Sequence, residues 1–394
     1  MEAINLILKT ISIALFIWAA LATSYMFFYS IFGLLFVEKR KKVELEDLTS
    51  PRIAVVIPAY KEDAVIIKTA ESALRQLYPI GKFQVVVVAD SLERSTLFKL
   101  NHLPLKVLEV NFENSTKAKS LNAVLNYLPA NFDMVVILDA DNIIRPEFLT
   151  KMAEAFVNGH KAIQGHRTAK NFNTPYSLLD AISEEINNHI FCKGQQYLGM
   201  SSRLTGSGMG FDFKLFKKLM SEINAVGGFD KELELKLISS DIKIHYEPTA
   251  LVYDEKVSRV EVMTKQRSRW ISSQFHYLKK YLPMGLVYLF KKRDFDYFNK
   301  TFQLAIPPRV LMVALLFIGC LSSFTLSNDN LFYSWLILTC VYFSVFIISF
   351  PKKFVSRHLI TLFIAIPSAF LRLFSSIPFM LNANKKFIHT PHES

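Results

Sequence analysis

The chain has 394 residues, 51% of them hydrophobic and 20% charged, and carries a formal net charge of +12. That composition excludes a disordered or fibrous chain and leaves room for one folded domain joined to apolar helices. The apolar residues concentrate at the two ends, while the middle reads as a globular domain.

Residues 10–37 form a run of 28 residues without a charge, preceded by Lys9 and followed by Lys39, Arg40, Lys41 and Lys42. A spanning helix takes about 20 apolar residues, whereas the apolar core of a secretory signal takes about 7–15. The run therefore predicts an uncleaved membrane anchor, with its basic flank, over residues 1–50.

The next unit, 51–270, reads as α/β. Strands are predicted at 52–57, ended by Pro58, at 83–89, ended by Asp90, at 105–110, and at 134–138, ended by Asp139. Helices are predicted at 63–77 and 117–128. Continuous apolar strands alternating with helices imply a mostly parallel sheet covered on both faces, with a site at the carboxyl ends of the strands. No GxGxxG follows the first strand and no GxxxxGK[ST] occurs, so neither a dinucleotide fold nor a P-loop is supported.

Asp139 and Asp141 flank Ala140 at a strand end, where both carboxylates can face one side. Two hard oxygen ligands at that spacing suit Mg²⁺ or Mn²⁺ completed by phosphate oxygens and water. The same pair also serves elsewhere as a helix cap or a solvated turn. Lys117 opens a helical pattern. Downstream lies Gln266-Arg267-Ser268-Arg269-Trp270, whose arginine forks suit phosphate and whose indole offers a flat wall. Arginines at i and i+2 do not share a helix face, so a loop or frayed helix end is expected to present them. A basic stripe on a membrane surface is the competing reading, since Lys265, Lys279, Lys280, Lys291, Lys292 and Arg293 lie nearby.

Residues 271–306 contain an apolar, aromatic stretch at 277–290 with lysines around it, which suits interfacial helices. The last unit, 307–394, holds uncharged runs of 19 residues at 310–328 and 22 residues at 330–351. Three spanning helices are therefore expected. Residues 359–384 are interrupted by Pro367 and Arg372, and a charge near mid-membrane is costly. This segment either spans or is re-entrant. The basic residues at 39–42 and 352–358 belong on the cytoplasmic side with the middle domain, and the turn at 327–330 outside. The positive charge beside apolar segments suits anionic lipid, and no nucleic-acid signature appears. Cys192, Cys320 and Cys340 have no ligand or disulfide spacing and are expected as free thiols.

In order along the chain stand Val56-Ile57-Pro58-Ala59-Tyr60-Lys61-Glu62, Val88-Ala89-Asp90, Lys117 with Leu121-Asn122, Asp139-Ala140-Asp141 followed by Pro146-Glu147-Phe148, Gln164, Gly206-Ser207-Gly208-Met209-Gly210, Gly227-Gly228-Phe229 and the closing Gln-Arg-x-Arg-Trp. With this ordered set the chain resembles the membrane-bound processive branch of the family 2 glycosyltransferases, relatives of cellulose, chitin, hyaluronan and poly-N-acetylglucosamine synthases. The resemblance covers residues 51–270 and implies a GT-A type nucleotide-sugar-binding domain flanked by transmembrane helices. It implies that Tyr60, Glu62 and Asp90 hold the uridine of a UDP-sugar and that Lys117 approaches its ribose or diphosphate. Asp139 and Asp141 would meet the diphosphate and the metal. Gln266, Arg267, Arg269 and Trp270 would bind pyrophosphate and frame the acceptor.

The family carries its catalytic base as the Asp of a Glu-Asp pair at a helix start after the double glycine. This chain reads Gly227-Gly228-Phe229-Asp230-Lys231-Glu232-Leu233-Glu234 instead. Aligned on Leu-Glu-Leu, Glu232 takes the base position and is chemically adequate for it. Asp230 is the competitor and could instead cap the helix. Glu234 is expected on the helix surface. The implied reaction is a metal-assisted single displacement with inversion, in a multi-pass protein of the inner or plasma membrane with a cytoplasmic catalytic domain. The product is a β-linked polysaccharide or, alternatively, a glycosylated lipid or lipid-linked acceptor, and export or accessory subunits are compatible with either. A non-catalytic membrane scaffold with a degenerate transferase domain is the alternative of another class.

Overall fold

The computed structural model describes residues 2–37, 50–257, 260–325 and 328–354. The basic cluster at 39–42, Ser327, the basic residues Arg357 and His358, and the segment 359–384 lie outside them. The chain opens with α1 (Glu2–Leu35). The globular part then runs β1 (Ile53–Tyr60), α2 (Ile66–Leu74), β2 (Phe83–Asp90), α3 (Arg94–Asn101), β3 (Lys106–Val110), α4 (Lys117–Tyr127), β4 (Met134–Ile137), β5 (Ile143–Ile144) and α5 (Phe148–Val157). It continues with β6 (Ala162–Ala169), α6 (Pro175–Asn187), a π-helix (Asn188–Gly194), α7 (Gln195–Tyr197), β7 (Met209–Asp212), α8 (Phe213–Met220), α9 (Phe229–Ser239) and β8 (Ile244–Asp254). After it come α10 (Val260–Val287), a second π-helix (Tyr288–Lys292), α11 (Phe295–Ala305), α12 (Arg309–Thr325) and α13 (Asp329–Ser349).

The strands form one eight-stranded sheet in the order β3-β2-β1-β4-β7-β6-β8-β5. β1 is central to the first half, parallel to β2 and β4, with Tyr60 opposite Asp90 and Ile53 opposite Met134. β7 runs antiparallel between β4 and β6, and β8 returns parallel to β6 with an irregularity at Gly165/His166. Alternate residues of β1 feed two cores. Ile53, Val55 and Ile57 pack with Ile66, Phe148 and Met152 on one face; Ala54 and Val56 pack with Leu121, Phe216 and Leu233 on the other. A strand buried on both faces has to be apolar throughout, which is why these strands read as unbroken runs. The helix expected over 63–77 is shorter: Glu62 O accepts from Val65 N and Ile66 N in a turn, and Arg75 leaves the helical conformation.

A third apolar cluster joins α1, α6, the first π-helix, α12 and α13 through Ala22, Met26, Ile182, Met312, Trp335 and Tyr342. Residues Lys9–Leu35 and Asp329–Ser349 form helices long and apolar enough to cross a membrane. The third expected span, at 310–328, falls on α12 and is too short to span by itself. α12 has only 17 residues, and it meets α11 at a 68° bend, where Pro307 and Pro308 remove two backbone donors. The pair counts as a span only if taken together.

The first π-helix packs against α1 at Gly194, where a Cβ would lie 2.2 Å from the carbonyl oxygen of Tyr29. Gly194→Val is expected to destabilise this junction by about 1–3 kcal/mol, read as a lowered midpoint of thermal unfolding in detergent. An unchanged midpoint would mean that α1 does not pack on the domain there.

Candidate active site

The parallel register of β1, β2 and β4 brings the ends of three strands together. Tyr60 closes β1 and Asp90 closes β2 directly beside it. Lys61 and Ser91, the residues that follow, both adopt left-handed backbone conformations, with φ of 56° and 57°. Both residues turn the chain out of its strand. Asp90 is fully buried, and its Oδ1 accepts from Ser91 Oγ at 3.0 Å. Its Oδ2 is buried with no hydrogen-bond partner. A buried acceptor left unmade is costly and suits a ligand N–H. Lys61 Nζ lies 5.3 Å from the centroid of the Tyr60 ring, and Glu62 follows in the turn that leads into α2.

The chain leaves β4 through a turn in which Asn142 Oδ1 accepts from Asp139 N at 2.9 Å. Ala140 points into the core, its carbonyl accepting from Thr69 Oγ1 of α2 at 2.6 Å. Asp139 and Asp141 are thereby set on either side of a fixed residue. Lys117 Nζ donates to Asp139 Oδ1 and, at 2.8 Å, to the carbonyl of Gly206. Thr116 caps α4 by accepting from Lys119 N, which fixes where Lys117 starts. Burial raises the pKa of Asp139, but Lys117 and then Arg167 overcome it and hold the carboxyl below its ordinary range. Asp141 is buried; its Oδ2 accepts from Glu255 N at 2.9 Å and its Oδ1 from Asn142 Nδ2 at 3.3 Å. The Gly206–Gly210 run is held rather than loose: buried Gln164 accepts from Thr205 N at 2.9 Å and donates to Ser207 O at 3.0 Å. Gly208, at φ 62°, has no room for a Cβ beside Val252.

Behind this edge lies a buried ionic cluster that no motif or periodicity in the sequence marks. Arg167 Nε of β6 meets Glu184 Oε1 of α6 at 2.5 Å and Asp254 Oδ2 of β8 at 3.6 Å, and its Nη1 donates to Thr205 O at 3.1 Å. Lys256, only 4% exposed, pairs with Glu184 and, at 2.8 Å, with Asp254 Oδ1. Burial first, and then the Glu184 charge, push the Asp254 carboxyl up to about 7, against the pull of Lys256 and Arg167. Glu184 stays below its ordinary value because Arg167 and Lys256 outweigh its burial.

The two base candidates diverge. α9 starts at Phe229 after Gly228, whose φ is 68°. Glu232 is buried against α10, its Oε1 accepting from Lys280 Nζ at 2.9 Å and Tyr281 OH at 3.0 Å. Asp230, two residues earlier, faces another side of the helix. That side also carries Glu234, one turn on. Glu234 is not on the surface as expected: it is buried, accepts from Leu204 N at 3.3 Å and pairs with Lys300 at 3.2 Å. α11 and the segment before β7 cover what an isolated amphipathic reading leaves open. Lys117 Nζ lies 5.6 Å from the Phe229 ring centroid, so the start of α9 adjoins the Lys117–Asp139 pair.

The closing motif also differs from expectation. It lies inside α10, a continuous helix of 28 residues, and not in a loop or frayed end. Arg267 Nη2 pairs with Asp180 of α6 at 2.5 Å, and its guanidinium carbon lies 5.6 Å from the Trp270 ring centroid. Trp270 is exposed. Arg269 turns to a different side, where burial draws its guanidinium below its ordinary pKa, and Gln266 is half-buried. Among the described residues, no three or more His, Cys, Asp or Glu side chains form a metal site by themselves.

The α/β sheet thus gathers acidic and basic side chains at the ends of its parallel strands. Residues 51–273 match the family described as glycosyltransferase like family 2, and the chain belongs to that family. It is 23% identical over 296 residues to the Bacillus subtilis (strain 168) "probable glycosyltransferase YdaM", covering 72% of this chain and 67% of that one. It is 27% identical over 234 residues to the poly-β-1,6-N-acetyl-D-glucosamine synthase of Staphylococcus epidermidis, covering 55% of this chain and 53% of that one. The chain thus spans about two thirds of the first relative and about half of the second. The fold is that of the mannosyltransferase PcManGT from Pyrobaculum calidifontis, solved with GDP-Man and Mn²⁺, with TM-score 0.50 and 17% identity over 86% of this chain and 98% of that one.

Glu184→Ala would leave Arg167 and Lys256 with Asp254 alone. It is expected to cost about 3 kcal/mol or more, read by thermal unfolding, with Glu184→Gln costing less. A near-wild-type Glu184→Ala protein would contradict the cluster.

Proposed function

We propose that the chain transfers a hexose from a UDP-sugar to a growing β-linked polysaccharide at the cytoplasmic face of a membrane, with inversion at the anomeric carbon. The observation that carries this reading is the meeting, at the ends of β1, β2 and β4, of a buried and partnerless Asp90 Oδ2 with Asp139, Asp141 and Lys117. In this reading Asp90, Tyr60 and Glu62 hold the uridine, with Asp90 Oδ2 accepting from the base. Lys117, already at Asp139, swings to the diphosphate. Arg267 and Trp270 frame the diphosphate and the acceptor sugar; Gln266 and Arg269 stand on the same helix as supporting donors. Mg²⁺ or Mn²⁺, held by Asp141 and Asp139 together with diphosphate oxygens, would neutralise charge on the leaving group. Among the described residues no third His, Cys, Asp or Glu completes a metal site with them, which fits an ion that arrives with its nucleotide.

Of the two base candidates we favour Asp230, because Glu232 is already engaged. Lys280 and Tyr281 both occupy Glu232 Oε1 on the α10 side. Asp230 lies in the first turn of α9, next to Phe229, whose ring centroid is 5.6 Å from Lys117 Nζ. There it takes the acceptor hydroxyl proton as the oxygen attacks and UDP departs.

We read residues 1–50 as an anchor, 51–270 as the cytoplasmic transferase domain, 271–306 as interfacial helices and 307–394 as a membrane region of a multi-pass protein. The apolar helices α1 and α13 support this arrangement. So do Phe290 and Phe295, exposed beside Lys291, Lys292 and Arg293.

The test is UDP release from a panel of UDP-sugars by the protein in nanodiscs, with and without chelator, offering lipid extract and oligosaccharides as acceptors. Release should need Mg²⁺ or Mn²⁺ and vanish in Asp141→Ala. Asp230→Asn should lower kcat by about 10²-fold or more, while Glu232→Gln should lower it less than about tenfold. A large loss in Glu232→Gln with an active Asp230→Asn would reverse the base assignment. A product of one or two sugars on lipid would replace the polymer by a glycolipid, and nucleotide binding without release would favour the scaffold.

A further inference from the structure

Helix α6 accepts basic side chains from five separate parts of the chain. Asp180 takes Arg267 of α10 at 2.5 Å. Glu184 takes Arg167 of β6 and Lys256 beyond β8. Ser183 and Asn187 take Arg309, the first residue of α12, with Nη1 2.6 Å from Ser183 Oγ and Nη2 2.6 Å from Asn187 Oδ1. Glu185 takes Lys353, just beyond α13, at 2.7 Å. Residues 180, 184 and 187 recur at helical spacing on one face, so the contacts to Arg267, Arg167, Lys256 and Arg309 share it.

The helix itself is fixed. Thr174 and Ser177 form a reciprocal capping box with Pro175 in the first turn. Leu178, Ala181, Ile182 and Ile186 are buried in the apolar cluster shared with α1, α12 and α13. Asp180 is therefore a carboxylate on a rigid support, and it meets a long side chain that would otherwise lose much rotamer freedom on binding a ligand. The geometry leaves Arg267 incomplete in a specific way. Asp180 takes Nη2, while Nε is buried with no partner. The guanidinium stands near Trp270 with N–H donors to spare, as a phosphate fork needs.

We propose that Asp180 is a positioning residue for Arg267: it holds the guanidinium oriented toward the nucleotide diphosphate without itself touching substrate. This rests on the reading of Arg267 as a diphosphate ligand. Because α6 also carries the contacts to Arg309 and Lys353, the orientation of this arginine is set by the same helix that docks the apolar C-terminal helices. The aspartate acts through its partner alone, so its effect has to disappear when that partner is removed.

The experiment is calorimetric titration of UDP, with Mn²⁺ present, into the full chain in nanodiscs. The proteins are wild type, Asp180→Asn, Asp180→Glu, Arg267→Ala and the Asp180→Asn/Arg267→Ala double variant, each also checked by thermal unfolding. Asp180→Asn should weaken UDP binding about tenfold, as expected for loss of one charge-assisted restraint. Asp180→Glu should recover part of it, and the double variant should bind no worse than Arg267→Ala. Additive losses in the double variant would overturn the proposal, since Asp180 would then act independently of Arg267. So would wild-type affinity in Asp180→Asn beside a loss in Arg267→Ala, and there the diphosphate reading survives. Wild-type affinity in Arg267→Ala would overturn both.

Discussion

Arg167 and Lys256 are cations taken out of water beside two carboxyl groups, Glu184, which they hold ionised, and Asp254, whose pKa burial and Glu184 push up to about 7. Effective desolvation costs several kcal/mol per ion, so such a cluster holds only while every member stays in place. Its members come from β6, α6, β8 and the chain after β8, which pins these elements to one another. The catalytic edge inherits that order. Arg167 lies close enough to Asp139 to lower its pKa, and Glu255, immediately before Lys256, donates its backbone N–H to Asp141. The two aspartates are thus fixed from the far side of the sheet as well as by their own turn.

The same economy of parts joins the apolar helices to the domain. α6 is at once a wall of the ionic cluster and a component of the apolar core formed with α1, α12 and α13. Buried Lys300 of α11 reaches Glu234 of α9, and Asn299 beside it accepts from Tyr25 and Tyr29 of α1 at 2.7 and 2.8 Å. Chains of polar contacts therefore run from the N-terminal helix to the helix that carries Asp230. Unmaking one partner of such contacts exposes the other to the full cost of burial, so the helices and the transferase domain hold one another in register.

How much of this the sequence disclosed depends on how each feature is encoded. β1, β2 and β4 are unbroken apolar runs closed by Pro58, Asp90 and Asp139, and both the strands and the residues at their ends were legible. β6 was not: Gln164, His166 and Arg167 interrupt any apolar pattern, because the strand serves as a scaffold for polar contacts. β7, four residues long, was visible only as a glycine-rich run. Glu234 looked like a surface residue because helical periodicity carries no information about what packs from elsewhere in the chain. The arginines of the closing motif were expected from a loop or frayed helix end, since i and i+2 do not share a helix face; inside a helix they part company, and Arg267 alone meets Asp180. Its role there depends on a contact across 87 positions, which local pattern cannot reveal.

The account stands or falls on where a nucleotide and its ion sit. The most direct measurement is the structure of the protein with UDP and Mn²⁺, the ion located by its anomalous scattering. The account predicts uracil against Asp90 beyond the ends of β1 and β2, and the Mn²⁺ peak between Asp141 and the diphosphate. A nucleotide bound away from these strand ends, or an ion that does not touch Asp141, would contradict it.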